Sequence, residues 1–105
     1  MIKCICVNDK DRPSKIPPHK WVEKGKEYTI MFAQFIRPQR QLAVQLIEIN
    51  LDESCAPFEY FLAKRFAIRK KDLEDLHQLI YDSYHIRESI EELTKQIEIT
   101  SNNTI

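Results

Sequence analysis

Three cysteines and three histidines are the side chains of this 105-residue chain best suited to ligating a metal or driving nucleophilic chemistry. Cys4 and Cys6 lie two apart, so on a strand they share a face and offer only two thiolates to one ion. Structural zinc takes four clustered ligands, and Cys55, His19, His77 and His85 contain no second pair with ligand spacing. No metal is expected. His77 and His85 stand eight residues apart, roughly 80° round and about 12 Å along a helix, which is not the i, i+4 arrangement that holds an ion. Cys55 sits in Asp52-Glu53-Ser54-Cys55-Ala56-Pro57, where acidic neighbours disfavour the thiolate that a nucleophilic cysteine needs. Catalysis requires a nucleophile and a base, or an acid and a base, that converge. No such set is visible, so the chain is expected to be non-enzymatic and without a cofactor. The single glycine, Gly25, also excludes glycine-rich phosphate loops and dinucleotide fingerprints.

Binding chemistry is better represented. Trp21, the one tryptophan, has two readings. In the first it closes one end of a core over Ile16 and Val22, as a large aromatic usually does. In the second it lies in a groove with Tyr28 and Tyr60 and receives a ligand. Basic residues cluster at Lys10, Arg12, Lys15, Lys20, Lys24 and Lys26, and again at Lys64, Arg65, Arg69, Lys70 and Lys71. A rim carrying Lys24, Lys26, Lys64 and Arg65 beside Trp21, Tyr28 and Tyr60 could hold a nucleic-acid backbone and stack a base. Against this, 16 basic and 16 acidic residues cancel to a formal net charge of zero, which leaves little long-range attraction for phosphate. Nucleic acid is therefore the second candidate partner.

Those residues must be positioned by a single domain, given the length. With 43% apolar and 30% charged residues, the composition is that of a soluble globular chain. Apolar runs such as Ile30 to Ala33 reach only about four residues, far short of the roughly 20 of a spanning helix. The start, Met1-Ile2-Lys3-Cys4-Ile5-Cys6, lacks a secretory pattern, so a cytoplasmic protein without membrane contact is expected.

Prolines 13, 17, 18, 38 and 57 divide the first two thirds into runs rich in β-branched and aromatic residues, the pattern of strands. The runs are Ile2 to Val7, Glu27 to Ile36, Leu42 to Leu51 and Phe58 to Leu62, followed by Ala63 to Ile68, where one turn could carry the chain into a last short strand. Within the third run the apolar set changes face between Leu46 and Ile47, which a bulge or sharp bend accommodates. From Lys71 the period changes. Leu73, Leu76, Leu79, Ile80, Ile86, Ile90, Leu93 and Ile97 recur at helical spacing. A continuous helix from Asp72 to Glu98 would be roughly 40 Å long and would outrun a small barrel. Its seam, Leu76, Leu79, Ser83, Ile86, Ile90, Leu93 and Ile97, has heptad character. Leu73, Leu76 and Ile80 are expected to dock on the barrel, leaving Ile86, Ile90, Leu93 and Ile97 for another subunit or a partner protein.

The order of motifs resembles a family. Lys3-Cys4-Ile5 with Asn8-Asp9, then Lys24-Gly25-Lys26-Glu27-Tyr28-Thr29-Ile30, then Phe58-Glu59-Tyr60-Phe61 leading into Arg65-Phe66, is similar to the small SH3-like β-barrel proteins encoded by bacteriophages and prophages. The likeness covers about Ile2 to Ile68, while Arg37-Pro38-Gln39-Arg40 and the long C-terminal segment depart from it. It implies a small accessory protein and supplies no catalytic residues.

The expected fold class is α+β: a small SH3-like antiparallel β-barrel of four to five strands over residues 1–70, a long C-terminal α-helix over 71–98, and a frayed tail over 99–105. The expected function is a non-enzymatic interaction protein of phage or mobile-element origin. It would form a homo-oligomer or bind a host or phage protein through the C-terminal helix. A nucleic-acid-binding module is the alternative.

Overall fold

Alternation of inward and outward side chains builds the first strand, β1 (Ile2–Cys6), in which Ile2, Cys4 and Cys6 are buried. The computed structural model describes residues 2–36, 40–84 and 94–100. β2 (Glu27–Ile36) pairs with β1 through its first half and with β3 (Gln41–Leu46) through its second. The short β4 (Phe61–Leu62) lies on β3, and β5 (Phe66–Arg69) pairs with the other edge of β1. All of these pairings are antiparallel. Helix α1 (Leu73–Tyr84) follows, and β6 (Glu98–Thr100) then returns parallel to β5. The sheet order is β4-β3-β2-β1-β5-β6.

Two local features bend this sheet. In β2, Ile30 faces Leu46 and Phe32 faces Gln45, so Met31 is an extra residue, a bulge. Tyr28 and Ile30 point inward before it, Ala33 and Phe35 after it. At the face change foreseen between Leu46 and Ile47, β3 ends and the chain bends over Ile47 and Glu48. Glu48 pins the bulge: its carboxylate accepts the Thr29 backbone N–H and the Thr29 hydroxyl, both at 2.7 Å, and Lys3 Nζ donates to the same hydroxyl at 3.0 Å. Gly25, with φ of 88°, sits in the turn closed by Lys26 N–H donating to the Glu23 carbonyl. No atom lies within 4 Å of where a Cβ would stand, so the requirement there is backbone conformation and not space.

The core gathers Ile2, Cys4, Val22, Tyr28, Ile30, Leu42, Val44, Phe61, Phe66 and Ile68. Leu76 and Ile80, one turn apart on α1, and Ile97 before β6 belong to the same cluster. Enclosing a residue of this size stabilises by about 1.5–3 kcal/mol, which holds α1 against the sheet.

The expected fold class is corrected by this architecture. Instead of a four- to five-stranded SH3-like barrel followed by a long helix, the chain forms a six-stranded mixed sheet. The single α-helix among the described residues has 12 residues. The physical reason lies in two competing patterns at the end of the seam. Ile97-Glu98-Ile99-Thr100 completes a heptad spacing, yet it also alternates β-branched with polar residues, and β5 presents an unpaired edge that a strand satisfies. The chain takes the second option, so Ile97 enters the core, and Ile99 and Thr100 pair with Ile68 and Arg69. Among the described residues no helix is long and apolar enough to cross a membrane.

Candidate protein-interaction face

The reactive side chains are enclosed. Cys4, Cys6 and Cys55 are free thiols and all buried. Burial pushes the Cys4 thiol up to about 12, with the Glu48 carboxylate adding to the effect. Cys6 is raised as well, chiefly by burial. Such thiols are poor nucleophiles and poor ligands. Among the described residues no three His, Cys, Asp or Glu side chains cluster for a metal ion. His77 instead shares a hydrogen bond of 3.2 Å with Thr94 Oγ1, tying α1 to the segment before β6.

The aromatic and basic residues singled out from sequence are not gathered on one open rim. Tyr28 is buried, its hydroxyl accepts the Glu23 N–H at 2.8 Å, and its ring meets Phe66 edge-on at 6.3 Å. Trp21 is half-buried against the core. Its ring packs on Phe61 at 5.7 Å, its Nε1–H donates to the Asp9 carbonyl at 2.6 Å, and the Arg65 guanidinium stacks over it at 4.7 Å. Arg65 in turn donates to the Asn8 and Lys10 carbonyls at 3.2 and 2.7 Å. Trp21 and Arg65 therefore act together as a clamp on the loop after β1, a cation–π contact backed by hydrogen bonds. Lys24, Lys26 and Lys64 are exposed, with Lys26 Nζ 5.9 Å from the Tyr28 ring. Of the helical seam, Ile97 is only 2% exposed. Ile86, Ile90 and Leu93 lie outside the described residues.

Tyr60 leads to a different surface. In the second half of β2 and in β3, Ala33, Phe35, Leu42 and Val44 face the core, so the alternate residues face outward. Register sets Phe32 opposite Gln45, Gln34 opposite Ala43, and Ile36 opposite Gln41, with Ala43 also opposite Leu62. Opposed residues share a sheet face, and this outer face continues into the segment from Pro57 to Leu62. Between them runs a groove of about 540 Å³, with Gln34, Phe35, Ile36 and Gln41 on the sheet side. Pro57, Phe58, Glu59, Tyr60 and Leu62 line the rest of it. A separate depression of about 30 Å³ beyond Glu59, lined by Met31, Ile49 and Phe61 among others, has room for little more than a water.

Compared with family models, with curated proteins and with solved structures, the chain matches none. Nothing in those comparisons bears on the likeness to bacteriophage barrel proteins.

The chemistry of the outer face is distinctive for this chain. Among the described residues Glu59 is the only charged one in the lining of the groove, although 30% of the chain is charged. The other polar side chains among those described are carboxamides and one phenol. Burial raises the pKa of the Tyr60 hydroxyl, and the Glu59 charge adds to this, so the phenol stays protonated and can both donate and accept. Arg40, with φ of 56°, leads into β3, its guanidinium 5.8 Å from the ring of core-facing Phe35. Gln96 fixes the start of β3: its Oε1 accepts the Leu42 N–H at 2.7 Å and its Nε2 donates to the Arg40 carbonyl at 2.8 Å. Exposed apolar residues Met31 and Phe32 extend the patch along β2, and Ile47 is exposed just beyond β3. Sequence reasoning named Tyr60 here and missed Gln34, Ile36, Gln41 and Phe58. The available signal was the even spacing of Phe58, Tyr60 and Leu62 and the lack of charge from Met31 to Ile36.

Proposed function

We propose that this chain is a non-catalytic protein-interaction module that docks a protein on the outer face of β2, β3 and the Pro57–Leu62 segment. One observation carries the reading: an apolar, aromatic and carboxamide groove with a single charge among its described residues, on a chain in which 30% of residues are charged. Depletion of charge with enrichment of aromatic residues is the compositional mark of the centre of a protein interface. Half-buried Phe58 and Tyr60 supply large contact area at small entropic cost. The groove floor is a paired sheet, so the surface is formed before any partner arrives. The enclosed cysteines supply no reactive group beside it.

A photo-reactive phenylalanine analogue in place of Tyr60 tests the assignment, with the same group at exposed Ser14 as control. The expected result is a discrete protein adduct from position 60 only, lost when Ile36→Asp is added. No adduct, or equal adducts from both positions, would overturn the reading.

A further inference from the structure

Four polar side chains line the groove, those of Gln34, Gln41, Glu59 and Tyr60, and among the described residues none of them has a hydrogen-bond or ion-pair partner. Neighbouring glutamines are bonded within the chain: Gln45 donates to the Glu59 carbonyl at 3.3 Å, and Gln96 links the Leu42 N–H to the Arg40 carbonyl. Gln34, Gln41 and Tyr60 are half-buried, so each has already lost part of its hydration and gains from a bonding partner. We propose that the groove takes a linear segment of a partner protein in extended conformation, with a lysine or arginine side chain set against Glu59. This rests on the groove being a docking surface and specifies the chemistry of what docks there.

The spacing of the two carboxamides selects an extended backbone. Gln34 faces Ala43 and Ile36 faces Gln41, so Gln34 and Gln41 are diagonal neighbours on the outer face, about 7–8 Å apart. Along an extended chain, groups two residues apart point the same way and repeat every 6.8 Å or so, at about 3.4 Å per residue. A carboxamide donates and accepts as a peptide group does, so the two glutamines match alternate peptide groups of such a segment. A helix bonds its N–H and C=O groups internally and offers them nothing. Width gives the same answer. Gln34 and Leu62 flank Ala43 on its two neighbouring strands, about 10 Å apart at two strand spacings. A helix with its side chains is itself about 10–12 Å across, so an extended chain lies between these walls and a helix does not. Charge and lining then set the kind of segment. Exposed Glu59 favours a cation and repels an acid, while Ile36, Phe58 and Leu62 receive the apolar side chains that alternate along it.

The test selects a library of random peptides, each about twelve residues long, on the immobilised full chain, and measures the enriched peptides in solution by fluorescence anisotropy. The wild-type chain should enrich peptides with a lysine or arginine beside alternating apolar residues. Glu59→Arg should weaken their binding by about tenfold or more and, in a fresh selection, enrich acidic residues instead. Gln34→Leu and Gln41→Leu should each weaken binding by about three- to tenfold, the effect of one lost hydrogen bond. N-methylation along the peptide backbone should cause a loss of similar size at alternate positions. Far-UV circular dichroism checks that each variant is folded, and the N-methyl series reads the same contacts on the wild-type chain if a variant is not.

Three results overturn the proposal: no peptide is enriched, the enriched peptides bind Glu59→Arg as well as wild type, or N-methylation is without effect at every position. If no peptide is enriched but position 60 still cross-links to a protein, the docking surface stands and the linear segment falls. If the cross-link is absent too, both readings fall.

Discussion

Replacing Ile97 with alanine separates the observed fold from the projecting helix that the heptad spacing suggests. On a helix extending into solvent, or awaiting a partner, Ile97→Ala would change monomer stability by about 0.5 kcal/mol or less. In the structure Ile97 is 2% exposed and shares the core cluster with Leu76 and Ile80. Truncation then removes buried methyl and methylene groups and leaves a cavity beneath the link between α1 and β6. Core Ile→Ala changes cost about 2–5 kcal/mol. The lower half of that range, about 2–3.5 kcal/mol, suits a site at the margin of the cluster, next to the three-residue β6. The assay is urea unfolding followed by circular dichroism, with Glu98→Ala as an exposed neighbour expected to stay within about 0.5 kcal/mol. The midpoint should fall with an unchanged slope, because the same surface is exposed on unfolding. For a domain of 105 residues the loss corresponds to a fall in melting temperature of roughly 10 °C or more. An Ile97→Ala variant as stable as Glu98→Ala would refute the placement of this segment in the core.

Three further outcomes follow from the same structure. Glu48→Ala strands the Thr29 donors at the β2 bulge and should cost about 1–3 kcal/mol at pH 7 in urea unfolding. Burial works against the Glu48 carboxylate, but its hydrogen bonds from Thr29 and the charge of Lys3 prevail and hold its pKa below the usual 4.5. A carboxyl lowered on folding contributes fully above its unfolded value and loses that contribution as acid protonates it. The gap between wild type and Glu48→Gln should therefore be present at pH 7 and close below about pH 4. The native chain should leave Cys4, Cys6 and Cys55 unreactive toward a disulfide reagent at pH 8 over minutes, while all three thiols react in denaturant; rapid native labelling would refute their enclosure. Arg65→Ala should open Trp21 to acrylamide quenching and red-shift its emission, and an unchanged spectrum would mean that Arg65 does not cover the ring.

Much of the sheet was legible because strand signals are local. The run Glu27 to Ile36 corresponds residue for residue to β2, and Ile2 to Val7 differs from β1 by one residue at its end. The third run was read too long. Its residues Ile47, Ile49 and Leu51 alternate like a strand, but β3 ends at Leu46 and the chain bends over Ile47 and Glu48, where the Glu48 carboxylate takes the Thr29 N–H. The helix start was legible from Leu73, Leu76 and Ile80, whereas its expected extension to Glu98 was not borne out. Seven-residue spacing of isoleucines is shared by a coiled-coil seam and by a chain that leaves a helix and re-enters a sheet. Local sequence cannot tell which edge is vacant. The candidate site was read in part, through Tyr60 alone. Phe58, Ile36 and Gln41 were silent because a groove between two segments exists only once Ala43 lies between Gln34 and Leu62.

The sequence by itself determined the balance of charge, the absence of glycine-rich phosphate loops, and the strand-forming runs separated by proline. All of these depend on residue type and near neighbours. Tertiary structure alone decided that Trp21 and Arg65 form a clamp on the loop after β1 and not an open rim. It also decided that Ile97 is core and that an aromatic and carboxamide groove gathers around Tyr60. Each of these depends on contacts between segments that are not neighbours in sequence, as between Arg65 and Asn8, Gln96 and Leu42, or Ala43 and Leu62. Pairing at that range is chosen by which buried surfaces and vacant strand edges the whole chain leaves to be satisfied.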